Sequence, residues 1–250
     1  MNIVVFTVSK RPHLLERVRA GLERQTVQPH AWIVIGDGTT DAHLASLSVG
    51  PGDFSVVPQS FDRGEWHLGR MHHFATDMAD ELGADLILKM DDDDYYGPEY
   101  IRDFRAAADL AQKRGHREYV MGNRDWDLGL ADRAPLDLYG RDIRERHTRK
   151  QERKDWVCGA TIAISRAAWR AEVLTWGRGK RGVDSVLLAT ARAAKIPILA
   201  ANSPAFCAVR YGDEEHGHTW AHPILTFVRK DWGHFFLPET VRVATKRRDA

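Results

Sequence analysis

The sequence predicts an α/β fold with a mostly parallel central sheet flanked by helices. Three observations carry this. Short runs of β-branched and aromatic residues recur early in the chain, at Ile3–Val8, Ala31–Ile35 and Phe54–Val57; near-continuous apolar runs of this kind suit strands buried on both faces. Between them lie stretches with apolar residues at helical spacing, the strand–helix–strand rhythm of right-handed parallel crossovers. A further apolar run, Leu86-Ile87-Leu88-Lys89-Met90, ends abruptly in Asp91-Asp92-Asp93-Asp94. Ligands bind at the carboxyl ends of strands in open α/β sheets.

The chain has 250 residues, 43% hydrophobic and 28% charged, enough for one sizeable domain. With 36 basic and 35 acidic side chains, net charge gives no argument for a nucleic-acid partner. Cys158 and Cys207 show no metal-ligand spacing, so buried free thiols in a reducing compartment are expected. The stretch after Met1 lacks a basic leader and is too short for a membrane span. A cytoplasmic protein without a transmembrane segment is the expectation, with peripheral membrane contact left open.

Taken in order, Ile3–Val8 is the first strand, and Pro12 suits the first turn of the helix that follows. Leu14, Leu15, Val18 and Leu22 share one face of that helix. Ala31–Ile35 is the second strand, ending in Gly36-Asp37-Gly38. After the strand at Phe54–Val57, a helix over about 68–82 offers Met71, Phe74, Ala75, Met78 and Leu82 for burial. Pro98 opens another helix, and Tyr119–Gly122 is a short strand. Periodicity then fails from 123 to 155, where 141–154 is nearly all charged: a solvated helix or loop, or else a flap over an anionic donor or an acceptor-binding edge. A strand over Trp156–Ser165, a helix over Arg166–Trp176, an alanine-rich helix after Gly182-Val183-Asp184 and a late strand at Ile196–Ala200 complete the reading. The chain divides into residues 1–122 and 123–222, two halves of one domain with a charged loop at 141–155 in the second, and a C-terminal tail over 223–250.

In an extended chain Asp91 and Asp93 share one side, and Asp92 and Asp94 the other. Two such charges ~5 Å apart repel by roughly 3 kcal/mol at an effective dielectric of ~20. A divalent cation would make use of that cost, and oxygen-only ligands suit Mg²⁺ or Mn²⁺. The plain alternative is an exposed acidic turn capping the helix near Pro98. Asp92, facing away, is expected to tolerate change.

Three segments in order, Phe6-Thr7-Val8-Ser9-Lys10-Arg11-Pro12, Ile35-Gly36-Asp37-Gly38-Thr39-Thr40-Asp41, and Asp91–Asp94 with Pro98, resemble the family 2 glycosyltransferases of GT-A fold. The resemblance covers roughly 2–105, and 156–220 more loosely. It implies that Thr7 and Asp37 contact the nucleotide base, that Asp91 lies near the ribose and that Asp93 binds the metal (Mn²⁺ or Mg²⁺) bridging the donor diphosphate. It places Arg70 beside the donor, makes Asp184 the general base of an inverting transfer, and gives His216 a part in the metal or diphosphate site, with His218 as a neighbouring candidate. Three positions depart from the family pattern: Lys10 stands for an Asn, Gly36 for the first Asp of a base-binding pair, and Val183 for the Glu of a Glu-Asp pair. The implied reaction moves a sugar from a nucleotide-sugar donor, UDP-linked by slight preference, to an acceptor hydroxyl. A sugar nucleotidyltransferase and a non-catalytic nucleotide- or carbohydrate-binding module are the alternatives. Trp66, Trp126, Trp156, Trp169, Trp176 and Trp220 offer sugar-stacking faces or, more ordinarily, core.

Overall fold

The computed structural model describes residues 1–48, 52–62, 64, 67–131, 137–150, 153–178 and 182–211. Residues Met1–Tyr211 group as one unit. His216, His218, Trp220 and the tail at 223–250 lie outside the described residues, as does Trp66.

The predicted alternation is present at the start of the chain. It runs β1 (Ile3–Ser9), α1 (Pro12–Glu23), β2 (Ala31–Asp37), α2 (Asp41–Ser46), β3 (Ser55–Phe61), α3 (Leu68–Glu81) and β4 (Leu86–Lys89). There follow β5 (Tyr95–Tyr96), α4 (Tyr100–Lys113), β6 (Val120–Gly122), β7 (Trp126–Ala131) and β8 (Ile143–Arg149). A 3₁₀ turn (Gly159–Thr161), β9 (Ala163–Ser165), α5 (Arg166–Arg170), α6 (Val183–Ala193), β10 (Ile198–Ala200) and β11 (Phe206–Tyr211) complete the order.

Among the described residues seven strands make the main sheet, in the order β10-β6-β9-β4-β1-β2-β3. All run parallel except β9, which inserts antiparallel between β4 and β6, with Ile164 opposite both Ile87 and Val120. β1 and β2 are buried almost throughout because helices cover both faces. α1 begins at Pro12, whose missing N–H costs nothing at that position, and buries Leu14, Leu15, Val18 and Leu22. α3 is capped by His67, whose Nδ1 accepts from the Arg70 amide at 3.1 Å. Its inner face holds Met71, Ala75 and Ala79; Leu82, expected on that face, lies past the helix end and is exposed.

The second sheet, in the order β5-β11-β7-β8, was not legible in the sequence. The charged stretch expected to be a solvated helix or loop instead supplies β8, antiparallel to β7. As the outermost strand it can be polar on both faces, so it carries no alternation to betray it; charge on an edge strand also discourages pairing with another chain. The strand expected over Trp156–Ser165 is reduced to Ala163–Ser165. Its first half turns instead, because the Cys158 amide donates to the Asn123 carbonyl (2.8 Å) and the Asn123 amide to Thr161 Oγ1 (2.9 Å). The helix expected over Arg166–Trp176 stops at Arg170, two residues before Glu172 takes a positive φ of 57°. Asn123 also ties down the passage from β10 to β11: its Nδ2 donates to the Ser203 carbonyl at 2.8 Å, and its Oδ1 accepts from the Ser203 amide at 3.0 Å.

The first turn of α3 lies directly on backbone. A Cβ at Gly69 would sit 1.7 Å from the Gly177 carbonyl oxygen. Alanine is the better helix former by about 1 kcal/mol, but here the clash is with main chain and outweighs that gain. Gly69→Ala is expected to destabilise the fold by about 3 kcal/mol, the upper end for an overpacked site, measured by urea denaturation; a neutral or stabilising result would contradict the close approach.

Candidate active site

β1, β2 and β4 are parallel neighbours, with Ser9 opposite Gly36 and Phe6 opposite Lys89. Their carboxyl ends therefore open on one edge of the sheet. That edge carries Ser9–Arg11, Asp37 and the four aspartates, which form the turn by which the chain leaves β4 and enters β5 of the second sheet.

The aspartates are not equivalent. Asp92, expected to face away and tolerate change, is 2% exposed. Ser9 Oγ donates to its Oδ2, and Arg11 engages it through Nη2 to Oδ1 and through Nε to Oδ2 at 3.1 Å. The same guanidinium lies 3.0 Å from Asp93 Oδ2. Asp94 is also buried; its Oδ1 accepts from the Val209 amide at 2.9 Å, which pins the turn to β11, and lies 3.8 Å from Arg210 Nη1. Burial, reinforced by Asp93, pushes the Asp94 carboxyl above the usual carboxylate range in spite of Arg210. From beneath, Arg17 Nη2 donates to the main-chain carbonyls of Asp92 (2.7 Å) and Asp94 (3.1 Å). A side chain from α1 thus sets the curvature of the turn.

Asp91 belongs to a second group. Its amide donates to Tyr96 Oη (2.8 Å), and that hydroxyl donates to the Ala160 carbonyl (2.9 Å). Burial lifts the Tyr96 hydroxyl well above its ordinary range, with Asp91 and Asp94 adding to the effect, so it remains a donor. The Asp91 carboxylate meets Lys89 Nζ at 2.8 Å from Oδ1 and 3.0 Å from Oδ2. Burial raises the Asp91 carboxyl; Lys89 opposes that, and Asp184 and Asp93 add to it. Lys89 itself is 3% exposed at the end of β4, and also donates to the Gly159 carbonyl at 3.1 Å. Asp184 Oδ1 lies 3.4 Å from the same ammonium. Asp184 occupies the first turn of α6, where a negative charge complements the helix dipole. Its carboxylate packs on the Gly159 main chain, where a Cβ would sit 2.3 Å from Oδ2.

The structure therefore brings Asp91 and Asp184 together on one lysine and sets Asp93 beside them. Asp37 ends β2 on the same edge and accepts from the Gly64 amide at 2.8 Å. The position before it is closed to a side chain, since a Cβ at Gly36 would meet Thr39 Cβ at 2.7 Å. Thr7 is fully buried; its hydroxyl accepts from Trp32 Nε1 at 3.1 Å inside the sheet, so it offers no exposed side-chain contact. Arg70 is exposed on the first turn of α3. His216 lies outside the described residues. Among the tryptophans, Trp176 is core, donating to Thr76 Oγ1 at 3.0 Å, and Trp169 is buried and donates to Asp77 Oδ1 at 2.9 Å. Trp126 is buried against half-buried Trp156, ring centres 5.4 Å apart. The sequence reading assigned no role to Lys89, Arg11 or Tyr96.

Among the described residues no cluster of three His, Cys, Asp or Glu side chains is placed to enclose a metal. The chemistry that is present suits a looser site. Mg²⁺ is commonly held by one or two carboxylates together with waters and substrate phosphates, and the Asp93 side chain is 14% exposed against 3% for Asp92. Asp93 is the carboxylate able to take such an ion, in exchange for its contact with Arg11.

No family model matches the sequence, and no curated protein matches it. Solved structures do share its fold. S. aureus TarS 1–349 in complex with UDP-GlcNAc is 14% identical, with a TM-score of 0.61 over 90% of this chain and 62% of that chain. The same protein in complex with UDP is 15% identical, with a TM-score of 0.58 over 84% and 61%. The present chain thus spans about three-fifths of those TarS chains. A CMP:2-keto-3-deoxy-manno-octonic acid synthetase complexed with CTP reaches a TM-score of 0.48 at 9% identity, over 85% of this chain and 92% of that chain, too weak a likeness to carry an argument. At these identities the likeness concerns the fold alone: the GT-A-type α/β arrangement, with a mostly parallel central sheet flanked by helices, expected from the sequence.

Removing Asp92 would take away the acceptor of the Ser9 hydroxyl and of two guanidinium nitrogens of Arg11. Asp92→Ala is expected to cost about 3 kcal/mol of stability, the lower end for a broken buried pair because Asp93 still faces Arg11. Asp93→Ala should cost distinctly less in the same urea titration. Equal costs, or a tolerant Asp92, would contradict this division.

Proposed function

We propose that this chain is an inverting glycosyltransferase that moves a sugar from a nucleotide-sugar donor to an acceptor hydroxyl. The observation that carries the reading is the meeting of Asp91 and Asp184 on Lys89 at the carboxyl edge of a GT-A-type sheet, with Asp93 beside them. The TarS complexes with UDP-GlcNAc and UDP favour a UDP-linked donor. Asp37 is assigned to the base, Asp91 to the ribose and Arg70 to the donor's flank. Thr7 contributes to the base site through its place in β1 rather than through its hydroxyl.

Asp184 is the general base. Its Oδ1 is turned inward toward Lys89, and its side chain is 32% exposed, which leaves Oδ2 for the acceptor. As the acceptor oxygen forms its bond to the anomeric carbon, Oδ2 takes the hydroxyl proton. The bond to the donor phosphate oxygen breaks on the opposite face, and the nucleoside diphosphate leaves with the electron pair. One base on the face opposite the leaving group inverts the anomeric centre, and the transition state is oxocarbenium-like, as in glycoside hydrolysis. A Mg²⁺ or Mn²⁺ ion bound at Asp93, with His216 as a further ligand, would supply counter-charge to that diphosphate.

The test needs no knowledge of the acceptor, because water substitutes for it slowly. UDP, GDP, CDP and TDP are compared by thermal shift with and without Mn²⁺, and the corresponding nucleotide sugars are then assayed for nucleoside diphosphate release. The expected outcome is a metal-enhanced shift with UDP and slow UDP release. Asp184→Asn should retain the shift and release UDP about 10²–10⁴-fold more slowly, the usual contribution of a positioned acid or base. Full activity in Asp184→Asn would remove the base assignment. Pyrophosphate release from a nucleoside triphosphate would point to a nucleotidyltransferase, and no shift with any nucleotide would sink the reading altogether.

A further inference from the structure

We infer that Lys89 is a positioning residue of this site: it fixes the Asp184 carboxylate, so that one oxygen is held inward and the other is presented to the acceptor. The inference deepens the reading above and rests on Asp184 being the base.

A lysine this buried is uncommon unless it is paired, and Lys89 hydrogen-bonds Asp91 and Gly159 and makes a longer ion contact with Asp184. An ammonium has three donors. Here they face three acceptors: the Asp91 carboxylate at 2.8 Å, the Gly159 carbonyl at 3.1 Å and Asp184 Oδ1 at 3.4 Å. The first two are fixed from elsewhere. Asp91 is anchored through its amide to Tyr96, and Tyr96 is anchored to Ala160 in the same 3₁₀ turn as Gly159. The ammonium is therefore held at a set point, and the third contact transmits that point to Asp184.

Asp184 has little else to orient it. Its Oδ1 is buried and accepts no hydrogen bond within the described structure. Two features constrain the carboxylate: the charge of Lys89 on Oδ1, and the main chain of Gly159 against Oδ2 and Cβ. Gly159 is a wall that limits where the carboxylate can go. Lys89 is the attraction that selects one rotamer within that limit. Without the ammonium, Asp184 would also face Asp91 with no cation between them, and the repulsion would swing it outward. A misplacement of about 1 Å at a reacting group can cost on the order of 10²-fold in rate.

The experiment compares Lys89→Met, which keeps the length and removes the charge, with Lys89→Ala and Asp184→Asn. Lys89→Met is expected to lower kcat for nucleoside diphosphate release by about 10²-fold. In the Asp184→Asn background the same change should cost less than about threefold, because a residue that acts through Asp184 has nothing left to position. A merely structural lysine would lower kcat by the same factor in both backgrounds, and that result would overturn the proposal. Lys89→Ala should regain activity with ethylammonium and not with ethanol; rescue by both or by neither counts against it. A crystal structure of Lys89→Met supplies a readout independent of turnover. Asp184 rotated away from Gly159 supports the inference, and an unchanged rotamer overturns it. If wild-type protein turns over no nucleotide sugar, the proposed function fails while the Asp184 rotamer still decides the role of Lys89.

Discussion

The neutralisation of the acidic turn is the constraint on which the rest of the structure depends. Four successive carboxylates close β4, and two of them are buried. A charge removed from water needs partners of its own. They come from the turn's own strand and from two distant parts of the chain. Arg11 follows β1, Lys89 ends β4, and Arg210 belongs to β11; Arg17 in α1 holds the main-chain carbonyls of the same turn. β1 must therefore lie beside β4, α1 must start immediately after β1, and β11 must return to the turn. The parallel order of the main sheet and the placing of the second sheet both satisfy this one local requirement.

The turn also joins the two sheets. Met90 still donates to Phe6 in the main sheet at 3.0 Å, while Tyr95 and Tyr96 already pair with Cys207 and Phe206 in the second. Over those few residues Asp94 ties the chain to β11, and Tyr96 ties it to the Gly159–Thr161 turn. α4 is fixed at the same place: Gln25 Oε1 accepts from the Ile101 amide (3.0 Å), and its Nε2 donates to the Gly97 carbonyl (2.9 Å). The candidate active site thus lies at the seam of the fold, and its geometry does not rest on loop packing alone.

The sequence made the main sheet legible and the second sheet obscure, for one reason. Strands buried on both faces must be apolar throughout, and β1, β2 and β4 announce themselves that way. β8 is an edge strand rich in charge and carries no period that distinguishes it from a loop, whereas β9 is the last three residues of the strand expected over Trp156–Ser165. Within the site, the carboxylates were legible as a motif, but their orientation was not. Strict alternation put Asp92 outward, yet a turn does not keep the strand period, and Arg11 draws Asp92 inward. Lys89 did leave a signal: a lysine inside the run Leu86–Met90, where every neighbour is apolar. A charge at a buried strand position needs a buried counter-charge, and Asp91 two residues on is the local candidate. Asp184 could not be read as the other partner, because only the antiparallel insertion of β9 brings the Gly159 turn and α6 to that side of β4.

The division of labour among the aspartates also separates the contacts that hold the turn from the one more open to exchange. Arg11 serves both Asp92 and Asp93, but the two pairs differ. Asp92 is the more buried, engages two guanidinium nitrogens and holds Ser9 as well. Asp93 is the more exposed of the two, with Arg11 at 3.0 Å. Since an ion pair open to solvent is weaker than one removed from it, the Arg11–Asp93 contact is the one that yields first. Asp92, Arg17 and Ser9 would keep the turn in shape were that contact exchanged. On the other side of the turn, Lys89 is buried and holds Asp91 and the Gly159 carbonyl by hydrogen bonds. The acidic run accordingly combines one more exposed position, Asp93, with a fixed position on either side of it, Asp91 held by Lys89 and Asp94 held by β11.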